Sequence, residues 1–294
     1  MRRSERRVAR RNFCVLSQIG YLLISLGVLT LLFGAYQLWF TDTVQKNTQS
    51  ELVAEVRKYL PPPAPHVVGS STPLPASADL GEGHWVGVIS IPKINLQQVI
   101  VDGTSVNDLR LGPGHYLGTP LPGEAGNVAI AGHRTTWGRP FRNLDKLVTG
   151  DQIIITTPRA DVMYRVTRIF VVKPDDLSVI APTSGNMLTL TTCNPPYSAV
   201  QRLVVRARLV TVGKLHRDKP TVTISKVIKH VVPRHTWWPT LWWSIATLAL
   251  YIATLKALAT KWHRYLVISV ASCLAVPLLL GLFGALSWQM PAGY

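Results

Sequence analysis

Short runs of apolar residues, separated by turn-forming residues, fill the middle of the chain from residue 84 to residue 212. The runs are rich in Val, Ile and Thr, and Gly, Pro and Asp separate them, which is typical of β-strands. The candidate strands are Trp85–Ile91, Leu96–Val101, Asn127–Gly132, Gln152–Thr157, Val162–Lys173, Met187–Cys193 and Arg202–Val212. One short helix is predicted near Arg142–Val148. About seven short strands with so little helix predict an all-β domain, either a closed barrel or a sandwich.

Three long segments without a charged residue flank this β region, at residues 12–41, 236–255 and 265–294. A membrane-spanning helix needs about 20 apolar residues, so each segment predicts one transmembrane helix. The first apolar run is longer than the core of a signal peptide, which is about 7–15 residues. We therefore predict an uncleaved N-terminal anchor and two C-terminal transmembrane helices.

The chain carries a net charge of +16. Much of the excess lies beside the hydrophobic segments, which indicates membrane orientation and not a nucleic-acid partner. Arginines before residue 12 predict a cytoplasmic N-terminus, and the β region then lies outside. The expected localisation is the plasma membrane, with several spans and with the β region outside the cell. The basic stretch 214–235 runs against this orientation, and contact with lipid is one explanation for it.

These patterns divide the chain into five segments. Residues 42–60 have the apolar rhythm of a short helix, and residues 61–79 are rich in Pro, Ser and Ala, as in a semi-rigid linker. The predicted segments are 1–41 (cytoplasmic basic tail and transmembrane helix), 42–83 (extracytoplasmic stalk), 84–212 (β domain), 213–235 (basic juxtamembrane segment) and 236–290 (two transmembrane helices).

Cys193 is the candidate nucleophile, because it is the only cysteine of the predicted exposed domain. It ends the β-type run 188–193, and the two prolines that follow at 195 and 196 cannot continue a ladder. A cysteine at a strand end can face a cleft, and an unpaired thiol outside the cell is a candidate reactive group. The alternative is a small buried apolar residue, which is common for free cysteine.

Two further residues have the chemistry that a cysteine nucleophile needs. Arg202 begins the next apolar strand, and an antiparallel return brings it near Cys193, where a cation favours thiolate and can hold an oxyanion. His133 ends the strand-like run 129–132 and suits proton transfer. The alternatives are an edge-strand charge for Arg202 and a turn residue for His133.

The run Leu190-Thr191-Thr192-Cys193 with Arg202 downstream resembles the sortase signature of a T-L-x-T-C strand and an arginine. Residues 131–133 (Ala-Gly-His) resemble the sortase histidine motif, in the same order along the chain. The resemblance covers about residues 84–212. It implies a closed eight-stranded β-barrel with short helices, and a catalytic set of Cys193, His133 and Arg202.

Finer motifs resemble the class E sortases of actinobacteria. They are residues 112–116 (Gly-Pro-Gly-His-Tyr), 121–124 (Leu-Pro-Gly-Glu) and 132–136 (Gly-His-Arg-Thr-Thr). This resemblance implies a Leu-Ala-x-Thr-Gly sorting signal, with Tyr116 helping to select the alanine, and we assign Thr191 and Thr192 to substrate binding with it. The partners that it implies are surface proteins with a C-terminal sorting signal and a peptidoglycan-precursor amine.

No cofactor or metal is expected. The sequence has no Cys/His cluster with zinc spacing, and the acidic pair Asp175-Asp176 is typical of a solvated turn. Three alternative functions remain open. They are a pilin polymerase like the class C sortases, a cysteine endopeptidase that transfers to water, and a non-catalytic membrane protein whose β domain binds partner proteins. The two C-terminal spans are unlike the single anchor of many sortases, so they do not settle the class.

Overall fold

The computed structural model of the chain describes residues 20, 23, 24, 27–60, 69–76, 84–215, 238–259 and 264–289. The predicted basic tail, most of the proline-rich linker and most of the basic juxtamembrane segment lie outside the described residues. The chain divides into two compact units. One contains the helical residues up to Phe40 and the two C-terminal helices, and the other begins at Thr41 and contains the β region.

The β region contains nine strands among the described residues. They are β1 Gly69–Ser70, β2 Trp85–Ile91, β3 Leu96–Asp102, β4 Gly114–His115, β5 Asn127–Ala131, β6 Gln152–Thr156, β7 Ala160–Val172, β8 Met187–Asn194 and β9 Gln201–Leu215. The seven strands predicted from the sequence are all present, with ends that differ by three residues at most. The two additional strands have only two residues each, which is too short for an alternating pattern to show.

The strands close into a barrel. Neighbouring strands follow the order β9-β7-β6-β2-β3-β4-β5-β8, and β8 pairs with β9 to complete the ring, while β1 adds to β9. All of these pairs are antiparallel except β3–β4 and β5–β8. Eight strands thus form a closed barrel, which confirms the expected fold and excludes the sandwich. The helix predicted near Arg142–Val148 is a single 3₁₀ turn at Leu144–Lys146.

Alternation along the strands determines which side chains fill the barrel. The main core contains alternate residues of the three strands β5, β8 and β9, because successive side chains point to opposite faces. These core residues are Val128 and Ile130, Leu188 and Leu190, and Leu203, Val205 and Ala207. The residues between them therefore face outward, and this outer face carries the chemistry described below.

Helix α1, Thr41–Val56, packs against the outside of the barrel. Its residues Leu52 and Val56 form a second apolar cluster with Trp85 of β2 and with Val99 of β3. The sequence predicted a helix here, but within a segment that stands clear of the β domain as a stalk. Residues 41–60 instead lie against the barrel, because the outer faces of β2 and β3 are apolar and need cover.

Buried glutamines fasten α1 to the barrel. Gln49 accepts a hydrogen bond from the Val99 amide (2.8 Å) and donates to the Leu111 carbonyl (2.7 Å). Gln45 also donates to the Leu111 carbonyl, at 3.2 Å. Buried polar groups cost free energy unless they are paired, so these bonds allow polar side chains to lie in an otherwise apolar contact.

The described residues of the other unit are helical. Helix α3, Trp238–Ala259, packs against α4, Arg264–Gln289. Phe283 of α4 contacts the ring of Phe33 at a centroid distance of 5.3 Å. Among the described residues, no helix combines the length and the apolar character that crossing a membrane requires. The predicted transmembrane helices are therefore not confirmed.

Replacing Gln49 with alanine should destabilise the barrel unit by about 2–3 kcal/mol, because it leaves the Val99 amide and buried carbonyls without this partner. Urea unfolding of the purified chain measures the loss, and hydrogen exchange at the Val99 amide should become faster. Asn47→Ala is the matched control, because Asn47 lies on the exposed side of the same helix. Equal stabilities of the two variants would contradict a structural role for Gln49.

Candidate active site

The pairing of β8 with its two neighbours places three candidate residues side by side. Cys193 lies directly opposite Arg202 in the antiparallel register of β8 and β9. On the other side, Ala131 of β5 lies opposite Thr191 in a parallel register. His133 lies in the loop just beyond β5, between Gly132, whose amide donates to the Thr191 carbonyl, and Arg134, which donates to the Cys193 carbonyl. The structure therefore brings His133, Cys193 and Arg202 into one row across the ends of β5, β8 and β9.

Cys193 and Arg202 belong to the outer face of the barrel. Leu190 of β8 and Leu203 of β9 point into the core. Side chains alternate along a strand, so Cys193, three residues after Leu190, and Arg202, one residue before Leu203, point outward. The sulfur is therefore not sealed inside the barrel.

Cys193 lies in a confined and cationic environment. Its side chain is largely buried, with 7% of the residue exposed. The Arg202 Nη1 atom lies 3.8 Å from Sγ and also donates to the carbonyls of Ala199 (3.2 Å) and Gln201 (3.3 Å). Burial raises the pKa of the Cys193 thiol, and the charges of Arg202 and Arg134 oppose that rise without cancelling it. The thiol is therefore protonated at neutral pH.

The backbone around His133 is fixed by β8 and by the loop that follows. The Gly132 amide donates to the Thr191 carbonyl (3.1 Å), and the Phe141 amide donates to the His133 carbonyl (3.0 Å). A Cβ at Gly132 would lie 2.7 Å from the Phe141 ring, so this position has no room for a side chain. The Ala-Gly-His run thus requires its glycine for close packing.

The charge state of His133 follows from burial and from a neighbouring cation. Burial of His133, together with the positive charge of Arg110 as the smaller cause, lowers its pKa to about 4. Protonating the imidazole in this environment is costly, since a buried cation loses its hydration. His133 is therefore neutral at neutral pH.

Arg110 reaches this position from the short helix α2, Val106–Leu111, which the sequence analysis missed. Ser105 and Asp108 form a capping box at its start, which was the available sequence signal. The Arg110 guanidinium lies over the Trp137 ring, 5.2 Å from its centroid. Burial lowers the pKa of Arg110 to about 10, so the residue keeps its positive charge at neutral pH.

Arg134 is a second residue whose position the sequence did not reveal. Its Nη1 atom donates to the Cys193 carbonyl (3.0 Å) and to Asn194 Oδ1 (2.8 Å), and its Nη2 atom lies 3.3 Å from Asp145 Oδ2. Arg134 is buried. It joins the loop after His133 to the end of β8, and so it fixes the two strand ends relative to each other.

Two of the three predicted substrate-binding residues lie together, and the third does not. The Tyr116 hydroxyl lies 3.2 Å from Thr191 Oγ1, and Thr191 shares the outer face of β8 with Cys193. Thr192 points to the core side because side chains alternate, and its hydroxyl donates to the Gly132 carbonyl at 2.7 Å. This hydrogen bond holds β8 against the backbone before His133, and a substrate contact of Thr192 stays a prediction.

The acidic pair lies in a turn outside this row. The Asp176 side chain accepts a hydrogen bond from the Ser178 amide at 3.1 Å and caps the 3₁₀ turn Leu177–Val179. Among the described residues, no group of three or more His, Cys, Asp or Glu side chains could hold a metal ion.

Residues 89–210 match the family described as "Sortase domain". Sortase SrtE1 of Streptomyces coelicolor is 32% identical over 223 residues, which are 70% of this chain and 60% of that protein. Sortase SrtE2 of the same organism is 30% identical over 236 residues, which are 74% of this chain and 90% of that protein. The chain thus spans about three fifths of the length of the first relative and most of the second.

The chain is also similar to a solved structure. Sortase E from Streptomyces avermitilis is 34% identical and matches 48% of this chain and 97% of that chain, with a TM-score of 0.43.

The rate of Cys193 alkylation should report the raised thiol pKa. Iodoacetamide reacts with thiolate, so the pH midpoint of the alkylation rate should lie above the value of about 8.5 for a free thiol. Arg202→Met should move the midpoint further upward, because the charge of Arg202 lowers this pKa. Mass spectrometry of the Cys193 peptide measures the rate. Arg208→Met is the control, since Arg208 is exposed on the same strand, and a wild-type midpoint below 8.5 would contradict the analysis.

Proposed function

Because the chain belongs to the sortase family, whose members are cysteine transpeptidases, we propose that it is itself a transpeptidase. Cys193 is the nucleophile, His133 transfers protons and Arg202 stabilises the oxyanion. The observation that supports this assignment is the row of these three residues across the ends of β5, β8 and β9. Covalent catalysis of this kind divides one difficult exchange into two acyl transfers.

In the first half of the reaction, Cys193 Sγ attacks the carbonyl carbon of the Thr–Gly bond in a sorting signal. The thiol and the imidazole are both neutral at rest, so the thiol proton passes to His133 as the S–C bond forms. The carbonyl oxygen becomes negative, and the Arg202 guanidinium, already oriented by two loop carbonyls, stabilises it. His133 then gives that proton to the glycine nitrogen, the C–N bond breaks, and a thioester on Cys193 remains.

In the second half, an acceptor amine attacks the thioester carbonyl. His133 takes a proton from the amine nitrogen, and Arg202 again stabilises the oxyanion. When the C–S bond breaks, His133 returns the proton to the Cys193 sulfur, and the new amide leaves. The acceptor that we propose is an amine of a peptidoglycan precursor, so that the reaction attaches a surface protein to the cell wall.

The sorting signal that we propose is Leu-Ala-x-Thr-Gly. Its support is the resemblance to class E sortases and the position of Tyr116, which contacts Thr191 on the face that carries Cys193. A half-buried aromatic side chain beside the nucleophile narrows the space for the residue at the second position of the signal. A small alanine fits such a space better than a proline ring does.

We also propose that the chain is anchored in the plasma membrane, with its N-terminus in the cytoplasm and the catalytic unit outside. The support comes from the three charge-free segments at 12–41, 236–255 and 265–294 and from the arginines before residue 12. This location gives the enzyme access both to secreted proteins and to cell-wall precursors.

Substitution of Cys193 and of Arg202 tests the assignment. With a Leu-Ala-x-Thr-Gly peptide and an amine, Cys193→Ala should abolish both cleavage and transfer, since no thioester can form. Arg202→Ala should lower kcat by about 100- to 1,000-fold, the usual effect of losing an oxyanion contact. Chromatography with mass spectrometry measures both products.

Arg208→Ala should stay within about twofold of the wild type, because an exposed surface charge contributes little. Equal losses for Arg202→Ala and Arg208→Ala would contradict the role of Arg202. Peptide cleavage that persists in Cys193→Ala would overturn the nucleophile. Formation of the hydrolysis product alone, with no amine adduct, would indicate an endopeptidase.

The pH dependence of kcat/KM should show a broad plateau across the neutral range. Activity should fall only as the pH drops toward about 4, where His133 becomes protonated and cannot accept the thiol proton. Activity should fall again above the raised pKa of Cys193, because the sulfur then has no proton to pass to His133. Arg110→Met should move the acid limb upward, because it removes a cation that lowers the pKa of His133. An acid limb near 6.5 in the wild type would contradict the buried, neutral imidazole.

A further inference from the structure

A cavity of about 360 Å³ lies between the loop after His133 and the loop after Cys193. Its lining includes four cations, one carboxylate and an aromatic residue, namely Arg134, Arg139, Arg142, Lys146, Asp145 and Tyr197. The volume is in the range of small-molecule sites, which start at about 300 Å³. The excess of positive charge indicates that the cavity suits an anion.

Two of the four cations already have carboxylate partners. Arg134 pairs with Asp145, and Arg139 pairs with Asp42 at the start of α1. Arg142 and Lys146 have no ion pair within the described parts of the chain, and both side chains are exposed. These two side chains are therefore available to a ligand, while the other two form the wall of the cavity.

The cavity adjoins the side of Cys193 on which an amine must bind. His133 and Arg202 lie on opposite sides of Cys193 in the row, and His133 is the residue that exchanges protons with the amine. Arg134 follows His133 directly and lines the cavity, and it also contacts the Cys193 carbonyl. An amine poised between His133 and the thioester therefore has the cavity next to it.

We propose that this cavity binds a carboxylate of the acceptor, with Arg142 and Lys146 as its ligands, so that the preferred acceptor is an amine that carries a free carboxylate nearby. This inference rests on the proposed transpeptidase function, because only a transpeptidase uses an acceptor amine. The carboxylate fixes the acceptor by its charge, and the amine then reaches the thioester with a restricted orientation. Amines without the carboxylate react, but less efficiently.

Binding tests the site without requiring any catalysis. The probes are diglycine and diglycinamide, which share an amine and differ in the terminal carboxylate. Ligand-observed NMR with the full chain carrying Cys193→Ala should give a Kd for diglycine about tenfold lower than that for diglycinamide, as expected from two exposed charge pairs. The difference should shrink at high salt, because exposed charges are screened.

The double variant Arg142→Gln/Lys146→Gln should bind both probes equally, and Arg208→Gln should keep the tenfold difference. Equal Kd values in the parent chain would overturn the proposal. So would a preference for diglycine that survives the double substitution.

The transfer reaction then connects the site to function. In the chain with its thiol intact, the kcat/KM ratio of diglycine to diglycinamide should be about ten, and it should fall to about one in Arg142→Gln/Lys146→Gln. The ratio within one variant cancels any general loss of activity. No peptide cleavage at all would refute the proposed function, whereas cleavage with an unchanged ratio would refute only the acceptor site.

Discussion

The pairing of strand β8 with a neighbour on each side positions Cys193, Arg202 and the loop that carries His133. The antiparallel pairing with β9 sets Cys193 opposite Arg202, and the parallel pairing with β5 brings the loop after β5 beside the end of β8. Because side chains alternate with a period of two, a shift of the β8–β9 register by one residue would place core and outer residues opposite each other. Thr192 and Arg134 reinforce this register through hydrogen bonds across the strand ends. Catalytic geometry and barrel closure therefore depend on the same hydrogen bonds.

Burial of the candidate site disfavours the charged forms of its thiol and its imidazole. Burial raises the pKa of Cys193 and lowers that of His133, so both groups favour their neutral forms. The charges of Arg202 and Arg134 lower the pKa of Cys193 and so oppose the effect of burial. The charge of Arg110 lowers the pKa of His133, in the same direction as burial. The candidate site thus holds the cations Arg202, Arg134 and Arg110 near two groups that stay neutral at neutral pH.

The sequence predicted the site best where an apolar, strand-like run ends at a residue with a reactive side chain. The apolar run ending at Cys193, followed by two prolines, predicted the strand end, and the short connection to Arg202 predicted the antiparallel pairing. The parallel pairing of β5 with β8 was not predictable in this way, because parallel strands come from distant parts of the chain. Nor were the positions of Arg110 and Arg134, since the contacts that give them significance are long-range. The hydrogen bond from Thr192 to the Gly132 carbonyl was not predictable either, because it joins strands that are distant in the sequence.

Helix α1 connects this geometry to residues far upstream in the chain. Asp42 accepts a hydrogen bond from the Gly138 amide at 3.0 Å and pairs with Arg139, so the start of α1 holds the loop that follows His133. Further along the helix, Gln49 and the apolar cluster cover β2 and β3. A barrel without α1 would expose this apolar surface and leave the loop without these bonds. The structural unit that supports the candidate site therefore begins at Thr41, well before the first long strand.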